Sequence, residues 1–381
     1  MKIVIAPDSF KGSLSAPEVA RAMERGVKRI FPSAETVLLP MADGGEGTVE
    51  ALVTALGGEL VTVPAHDPMG REIKARYGIL PDKTAVIETA AASGLTLVEK
   101  ENRDAIHAST FGTGELIRDA LKNGAKKFII GLGGSATTDG GMGIAKALGF
   151  KFLDENGEEL SEGGAELKRL SRIDNSGVLP GAKEAVFQLA SDVKNNLYGK
   201  NGAAYVFAPQ KGASESDVVL LNEALKSYGD VLKAQTGRDI ASVEGTGAAG
   251  GIASVFLAFL HASLGSGIDF VLDAFGFDEK VKDADLVITG EGRIDSQSVC
   301  GKVPFGVVKR TKKRGNIPVI AIGGSLGEGF EELYSAGVDA IASCVSKICT
   351  LEEAMREAAA NVERAAEEAA RLIKIGQLKN F

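Results

Sequence analysis

A chain of 381 residues is long enough for two domains, because a single hydrophobic core usually stops growing below that size. Hydrophobic residues make up 44% and charged residues 25% of the sequence, which is typical of a globular protein and excludes wholesale disorder. The net charge of -8, and the absence of aromatic residues within the basic segment 309–314, argue against nucleic acid as a partner.

The cysteines and the start of the chain indicate the compartment. Cys300, Cys344 and Cys349 form no CxxC pair and cannot complete a disulfide framework, which fits a reducing environment. The chain enters a strand without a signal-peptide pattern, and no apolar run reaches the roughly 18 residues that a membrane helix needs. The sequence therefore predicts a cytoplasmic protein with no membrane partner. It leaves the oligomeric state open, with a homodimer as one outcome.

The first part of the chain alternates strands and helices. Met1 to Ala6 predicts an apolar strand. Ser15 and Glu18 predict a capping box that opens a helix with Pro17 in its first turn. A second strand at 36–39 and a second helix at 47–56 follow.

The same pattern returns near the carboxyl end. Residues 284–289 and 317–322 predict buried parallel strands with a helix between them, and 337–343 predicts a further strand. The final stretch, 351–374, has helical periodicity and is expected to pack its apolar face on that sheet.

The middle of the chain has a different pattern. Residues 59–86 carry short alternating strands with turn residues, and 154–157 predict a hairpin turn. These features indicate mixed or antiparallel pairing. We therefore predict an α/β fold of two domains. A Rossmann-like parallel-sheet domain, formed by residues 1–60 and 271–381, is interrupted by an inserted mixed-sheet α/β domain at 61–270.

Several segments that follow predicted strands of the terminal domain are rich in charged residues. Ligands bind beyond the carboxyl ends of the strands in open parallel sheets, so loops at 7–13, 41–47, 290–297 and 323–325 are expected to open on one edge. A single loop charge is more often merely solvated, but coincidence in several loops favours a site. The charged residues brought together would be Asp8, Lys11, Asp43, Glu46, Glu291, Arg293 and Asp295.

A glycine-rich segment of the inserted domain predicts a phosphate-binding loop. An apolar strand at 128–132 runs into small and polar residues up to Gly143, and a helix is predicted at 144–148. Small residues let the backbone approach a phosphate, and the helix dipole favours an anion. A tight connection that needs glycine only for packing is the alternative. Segments 191–196 with 209–212, and 245–251, are further candidates to line the site.

Other motifs bear on alternative functions for this phosphate-binding loop. Residues 245–250 match GxGxxG, and 131–136 match its Gly/Ala variant, so a dinucleotide-binding dehydrogenase is one alternative. The acidic residue that such an enzyme needs would be Asp154 or Asp269, but Asp154 falls in the predicted turn. No P-loop or protein-kinase motif is present. The histidines lack metal-ligand spacing, and His261 is expected to pack within an apolar helix.

At these loops the sequence resembles the class I bacterial glycerate kinases, and the match runs through essentially the whole chain. It is carried by segments 6–12, 42–48, 131–141, 209–213 and 289–295. The resemblance implies an ATP-dependent and Mg²⁺-dependent phosphorylation of D-glycerate in a cleft between a Rossmann-like domain and a second α/β domain. It does not decide whether the 2- or the 3-hydroxyl group is phosphorylated. Beside the kinase and the dehydrogenase, a non-catalytic hydroxy-acid sensor is a third hypothesis.

The resemblance also suggests a role for each loop, because phosphoryl transfer needs positioning and charge neutralisation. Lys11 and Arg293 would bind the glycerate carboxylate or the transferring phosphoryl group. Asp43 and Asp192 would ligate Mg²⁺, Asp192 would also belong to the catalytic set, and Asp295 is our hypothesis for the general base. The substrate-binding set would be Asp8, Ser9, Asp43, Glu46 and Glu291. The ATP-binding set would be Gly133, Gly134, Ser135, Thr137, Asp139 and Gly140.

Overall fold

The computed structural model describes residues 1–45, 47–299 and 301–379, without the side chains of residues 378 and 379. Its first elements are β1 (Lys2–Pro7), α1 (Ala16–Ile30), β2 (Glu35–Leu38) and α2 (Thr48–Leu56). The middle of the chain forms β3 (Glu59–His66), β4 (Glu72–Ile79), β5 (Thr84–Glu88), α3 (Ala90–Ser93), α4 (Phe111–Lys122), β6 (Lys127–Gly131), α5 (Met142–Ala147), β7 (Lys151–Leu153), β8 (Arg172–Asp174), α6 (Pro180–Glu184), β9 (Val186–Ala190), α7 (Ala203–Phe207), α8 (Glu215–Thr236), α9 (Ala253–Phe259) and β10 (His261–Gly265). The last part forms α10 (Gly267–Ala274), α11 (Phe277–Val281), β11 (Leu286–Ile294), α12 (Val303–Lys312), β12 (Val319–Leu326), α13 (Glu332–Ala336), β13 (Ala340–Ser343), α14 (Leu351–Arg356) and α15 (Ala358–Lys379).

The chain forms two compact units. The terminal unit comprises Met1–Asp43, Glu50–Gly57 and Ile268–Phe381, and the middle unit comprises Gly44–Val49 and Gly58–Gly267. Each unit encloses its own cluster of buried hydrophobic side chains. Within the described part of the chain, none of the helices has the length and apolar character required to cross a bilayer.

The terminal unit is built on a parallel sheet with the strand order β13-β12-β11-β1-β2. Counted along the chain, that order is 2-1-3-4-5, the doubly wound arrangement in which a ligand binds beside the first and third strands. The Rossmann-like parallel sheet predicted from the sequence is confirmed. Its third strand is β11, which enters the sheet more than 280 residues after β1 and pairs with it from Ile3 opposite Leu286 onward.

Helix α1 begins as the sequence predicts. The Ser15 backbone N–H donates to the Glu18 carboxylate at 2.8 Å, and Pro17 occupies the first turn. Val19, Met23 and Val27 are fully buried, and Gly26 lets α15 pack against the helix backbone. A Cβ at position 26 would lie 2.2 Å from the Glu363 carbonyl oxygen, so no other residue permits this approach. The carboxyl-terminal helix is therefore an integral layer of the terminal unit.

The middle unit contains a mixed sheet with the order β10-β9-β6-β5-β4-β3. The pairs from β10 to β5 are parallel, and β4 pairs antiparallel with both β3 and β5. Phe128 and Phe187 stack in its core with ring centroids 4.8 Å apart. The Asp154 N–H donates to the Glu158 carbonyl at 2.9 Å, which confirms the predicted turn. The mixed pairing expected in this region is also confirmed.

Two local predictions were wrong. Helix α9 ends at Phe259 because Leu260 adopts an extended conformation, and His261 is the exposed first residue of β10 rather than a packed helix residue. Residues 290–294 and 323–325 are not loops, since β11 and β12 extend through them and pair Arg293 with Ser325. Glycines allow these strand ends to meet: a Cβ at Gly324 would lie 2.4 Å from the Gly292 carbonyl oxygen.

Candidate active site

A cavity of about 550 Å³ lies at the carboxyl ends of β1 and β11 in the terminal unit. The register places Pro7 opposite Gly290, and the Asp8 N–H donates to the Gly290 carbonyl oxygen at 2.8 Å. Asp8, which directly follows β1, therefore lies beside Glu291 of β11, at the point where doubly wound sheets bind ligands. The predicted site residues that line this cavity are Asp8, Ser9, Lys11, Asp43, Glu291 and Arg293.

Asp8 is the most perturbed carboxyl group of the cavity. Its residue is only 7% exposed, and the Ser9 N–H donates to its Oδ1 at 2.7 Å. Burial and then the negative charge of Asp43 raise the pKa of Asp8 to about 7, although Ser9 and the charge of Lys11 oppose the shift. A carboxylate that titrates near neutral pH on a cavity wall is suited to accept a proton from a bound hydroxyl group.

Glu291 is held from both sides by neighbouring donors. The buried Ser298 hydroxyl donates to its Oε1, and the Lys302 Nζ lies 3.5 Å from its Oε2. Burial raises the pKa of Glu291, while the contacts with Ser298 and Lys302 oppose that rise. Lys302 lines the same cavity, and sequence reasoning missed it because a lysine at a helix N-cap forms no recognisable pattern.

One predicted residue, Asp295, is placed differently. Asp295 is not part of the cavity lining that the structure describes. Its carboxylate lies 3.1 Å from the Arg293 Nε and accepts the Gln297 N–H at 3.0 Å. Glu46 lies outside the described residues. The structure thus gathers most of the predicted charged residues of the terminal unit but leaves Asp295 beside the cavity, paired with Arg293.

Part of the cavity lining is apolar. It is formed by α14 and its flanking residues, which include Val345, Leu351, Ala354, Met355 and Ala358. The cavity therefore combines charged and aliphatic side chains. A volume of this size falls within the roughly 300–1,000 Å³ of small-molecule sites. The sequence predicted α14 only as part of an outer helix, without a role in a site.

In the middle unit, the predicted phosphate loop connects β6 to α5. Gly133 and Gly134 are exposed, whereas Ser135 is 5% exposed. Gly134 has a φ of 73°, a conformation that favours glycine. The helix that follows has only the six residues Met142–Ala147, so the backbone of the loop, more than a helix dipole, presents the polar groups. The exposed part of this loop is therefore its glycine pair.

The loop is organised from inside by Asp139. This residue is fully buried, and its carboxylate accepts the Thr110 N–H at 2.9 Å and hydroxyl at 2.7 Å, and the N–H groups of Gly141 and Gly143 at 3.1 Å each. Burial raises the pKa of Asp139, and these donors oppose the shift. Thr137 and Gly140 are buried as well. These predicted ATP-binding residues support the loop from beneath its exposed glycines.

Lys211 lies directly under the same loop. Its side chain is 2% exposed, and its Nζ donates to the Ser135 Oγ at 3.0 Å and to the Thr137 carbonyl oxygen at 2.5 Å. Burial lowers the pKa of Lys211 to about 7, and the negative charge of Asp139 opposes the shift. The sequence singled out segment 209–212 without giving this lysine a role. Asp192, by contrast, is exposed and follows β9.

The GxGxxG match at 245–250 has a packing explanation. It is preceded by a short 3₁₀-helix at Ile240–Ser242, not by a strand. A Cβ at Gly247 would lie 2.3 Å from the Asn196 carbonyl oxygen, and one at Gly250 would lie 2.1 Å from the Thr137 carbonyl oxygen. The strand-turn-helix context of a dinucleotide-binding site is therefore missing at this segment.

Comparison with known proteins decides the family. A model of the glycerate kinase family matches residues 3–374. The chain belongs to the glycerate kinase family. A glycerate kinase of Halalkalibacterium halodurans is 50% identical over 96% of this chain and 96% of its own. A glycerate 2-kinase of Escherichia coli K12 is 50% identical over 99% of both chains.

A solved structure agrees with this glycerate kinase fold. The crystal structure of a glycerate kinase 2 from Salmonella typhimurium LT2 matches with a TM-score of 0.91 and 46% identity, over 99% of both chains. The protein is thus a kinase enzyme, which confirms the family predicted from the sequence motifs and removes the dehydrogenase alternative.

Proposed function

We propose that this glycerate kinase transfers the terminal phosphoryl group of ATP to D-glycerate, with Mg²⁺, to give a phosphoglycerate and ADP. The relatives named as glycerate kinases supply the substrate class. The observation that carries the proposal is the cavity beside β1 and β11, where cationic and carboxylate side chains line one wall. Such a wall can bind an acidic substrate and also accept a proton from its hydroxyl group.

In the terminal unit, Lys11 and Arg293 bind the glycerate carboxylate or the transferring phosphoryl group, and Ser9 and Asp43 contact polar atoms of the substrate. We move the role of general base from Asp295 to Asp8. Asp8 lines the cavity and has a pKa of about 7, whereas Asp295 lies outside the lining and pairs with Arg293. A base acts best when its pKa is near the working pH, since it is then both deprotonated and basic enough.

The glycine loop binds the phosphates of ATP in this proposal. The exposed backbone of Gly133 and Gly134 can approach the phosphates closely, because neither residue has a side chain to intervene. Ser135 stands next to them and is held by the Lys211 ammonium group. Asp139, Thr137 and Gly140 contribute by fixing the loop, not by direct contact.

Mg²⁺ fits the donors that the protein offers. Among the described residues, no group of three His, Cys, Asp or Glu side chains is arranged as a complete metal site. Mg²⁺ in kinases usually needs only one or two carboxylates, with waters and substrate phosphates as its other ligands. Asp43 on the cavity wall of the terminal unit and the exposed Asp192 of the middle unit are the two candidate carboxylates, and either one would serve as its protein ligand. The bound ion would neutralise phosphate charge.

Two glycine substitutions separate folding from ATP binding. A Cβ at Gly131 would lie 2.0 Å from the Gly44 carbonyl oxygen, so Gly131→Ala is expected to lower the free energy of unfolding by about 1–3 kcal/mol or more. A Cβ at Gly133 would lie 3.5 Å from the Gly45 Cα, an ordinary contact distance. Gly133→Ala should therefore change the free energy of unfolding by less than about 0.5 kcal/mol. Because its methyl group would stand where phosphate approaches, Gly133→Ala should raise the KM for ATP. Urea unfolding measures the change in stability of each variant, and steady-state kinetics measure its KM for ATP. An unchanged KM for ATP in Gly133→Ala would contradict the binding of ATP by this loop.

The proposed activity is tested by a coupled assay of ADP release. We expect ADP to form when ATP, Mg²⁺ and D-glycerate are present together, and not when glycerate is omitted or replaced by glycerol. Phosphorus NMR of the product then shows which hydroxyl group carries the phosphate. Binding of glycerate without ADP release would instead support the hydroxy-acid sensor. A change in nicotinamide absorbance on addition of the cofactor would support a dehydrogenase.

A further inference from the structure

We propose that Lys302 binds the carboxylate of the substrate, and that Glu291 and Ser298 are positioning residues that hold its ammonium group toward the cavity. This inference rests on the proposed function, because it assumes an anionic substrate in the terminal cavity. It adds a substrate-binding residue that no sequence pattern indicated, and it changes the role of Glu291 from substrate binding to positioning.

A chain of polar contacts links the backbone to the lysine, and Glu291 is the acceptor in the middle of it. The Asp295 N–H donates to the Ser298 Oγ at 3.1 Å, which leaves the hydroxyl hydrogen of Ser298 for the Glu291 Oε1. The other oxygen of Glu291 lies 3.5 Å from the Lys302 Nζ. Ser298 is 0% exposed and Glu291 is 5% exposed, so water competes little for these bonds. Glu291 is therefore fixed before any ligand arrives.

Glu291 is a poor partner for glycerate on two counts. Both of its oxygens already face donors, Ser298 on one side and Lys302 on the other. Its negative charge, together with that of Asp43 near Asp8, would also repel a substrate carboxylate. An ammonium group next to Glu291 offsets this negative charge. Lys302 supplies that group, and its side chain is 33% exposed, enough for the Nζ to reach a molecule in the cavity.

Lys302 is also better placed for this task than the other cations of the cavity. The Arg293 side chain is 67% exposed and is paired with Asp295, and Lys11 is exposed on the turn after Phe10. Water and salt screen an exposed charge far more than a half-buried one. The backbone of Lys302 is fixed as well, because its carbonyl accepts the Gly306 N–H at 3.0 Å at the start of α12. Lys11 and Arg293 remain for the transferring phosphoryl group.

The test compares Lys302→Met with a matched control, Lys309→Met, an exposed lysine of the same helix. Loss of a charged hydrogen bond should raise the KM for D-glycerate about 10- to 100-fold in Lys302→Met. The KM for ATP should stay within about twofold, and the control should match the wild type. Lys302→Arg keeps the charge and should recover part of the loss. Ser298→Ala should shift the same KM in the same direction by less.

A neutral analogue separates charge recognition from a structural effect. D-Glyceramide has the shape of glycerate without the negative charge, so its inhibition constant should change less than about threefold in Lys302→Met. Three results would each overturn the proposal: equally weakened binding of glycerate and glyceramide, an unchanged KM for glycerate, or a rise only in the KM for ATP. Thermal unfolding of each variant shows that it is folded. Calorimetric binding of D-glycerate requires no turnover. Suppose that D-glycerate binds to the wild type and binds more weakly to Lys302→Met, but that no ADP is released. The proposed kinase reaction would then be wrong, and this inference would still hold.

Discussion

The Asp8→Asn variant is expected to lose at least about a hundredfold in kcat and to unfold at a higher temperature than the wild type at pH 8. Removal of a general base typically costs between about 10² and 10⁴ in rate. Asp8 is the buried carboxyl group on the cavity wall whose pKa lies at about 7, raised first by burial and then by Asp43. Asparagine keeps the shape of the side chain but cannot accept the proton.

The pH dependence of stability follows from the raised pKa. Between the ordinary value of 3.8 and about 7, the folded protein binds more protons at Asp8 than the unfolded chain, so stability falls as the pH rises through this range. Above about pH 7 the buried carboxylate is charged, and asparagine should then stabilise the fold by up to about 4 kcal/mol. At pH 4 the two proteins should unfold alike. The kcat/KM of the wild type should rise with pH through about 7.

Asp295→Asn provides the comparison. Asp295 has an exposed partner in Arg293 and lies outside the cavity lining, so its variant should keep the pH profile of the wild type and lose less activity than Asp8→Asn. A larger loss in Asp295→Asn, with a flat pH profile, would return the role of base to Asp295. Thermal unfolding scans at pH 4 and pH 8, together with pH-rate profiles, distinguish the two assignments.

The second large effect is expected at Lys211. Lys211→Met should raise the KM for ATP at least about tenfold and lower the free energy of unfolding by about 3 kcal/mol or more, because a buried charge loses its partner. The substitution leaves the Ser135 Oγ and the Thr137 carbonyl without their donor and removes the positive charge that faces Asp139. The loop would then lose both its support and a favourable charge for phosphate.

Lys226→Met is the matched control, since Lys226 is an exposed lysine of the same unit on α8. Urea unfolding and the KM values for ATP and glycerate should be those of the wild type in this control. If Lys211→Met lowers stability but leaves the KM for ATP unchanged, Lys211 supports the fold alone and the phosphate role of the loop is contradicted.

Much of the fold was predictable because its signals are local. The capping box of α1, the apolar runs of β1 and β11, and the turn at Asp154 each depend on residues close in sequence. The joining of Asp8 and Glu291 was also predictable, since the carboxyl ends of parallel strands share an edge.

Long-range contacts were not predictable in the same way. Lys211 meets Ser135 across 76 positions, and nothing in either segment specifies that bond. Lys302 takes its role from Glu291, which is buried only after β11, β12 and β1 have assembled. Asp295 was predicted to lie in a loop that opens on the site, but β11 continues to Ile294 and places Asp295 beside the cavity. Sequence spacing alone does not give side-chain direction at an irregular strand end.

The pairing of β1 with β11 has a consequence for synthesis. During translation, β1 and α1 emerge first, but their neighbours β11, β12 and α15 are made only after more than 220 further residues. The middle unit is a continuous stretch apart from Gly44–Val49, so it can fold on the ribosome while the first strand waits. Ile3, Val4 and Ile5, all buried in the finished protein, are meanwhile exposed. The nascent chain should therefore need protection at β1, for example by a chaperone, until α15 has left the ribosomal tunnel.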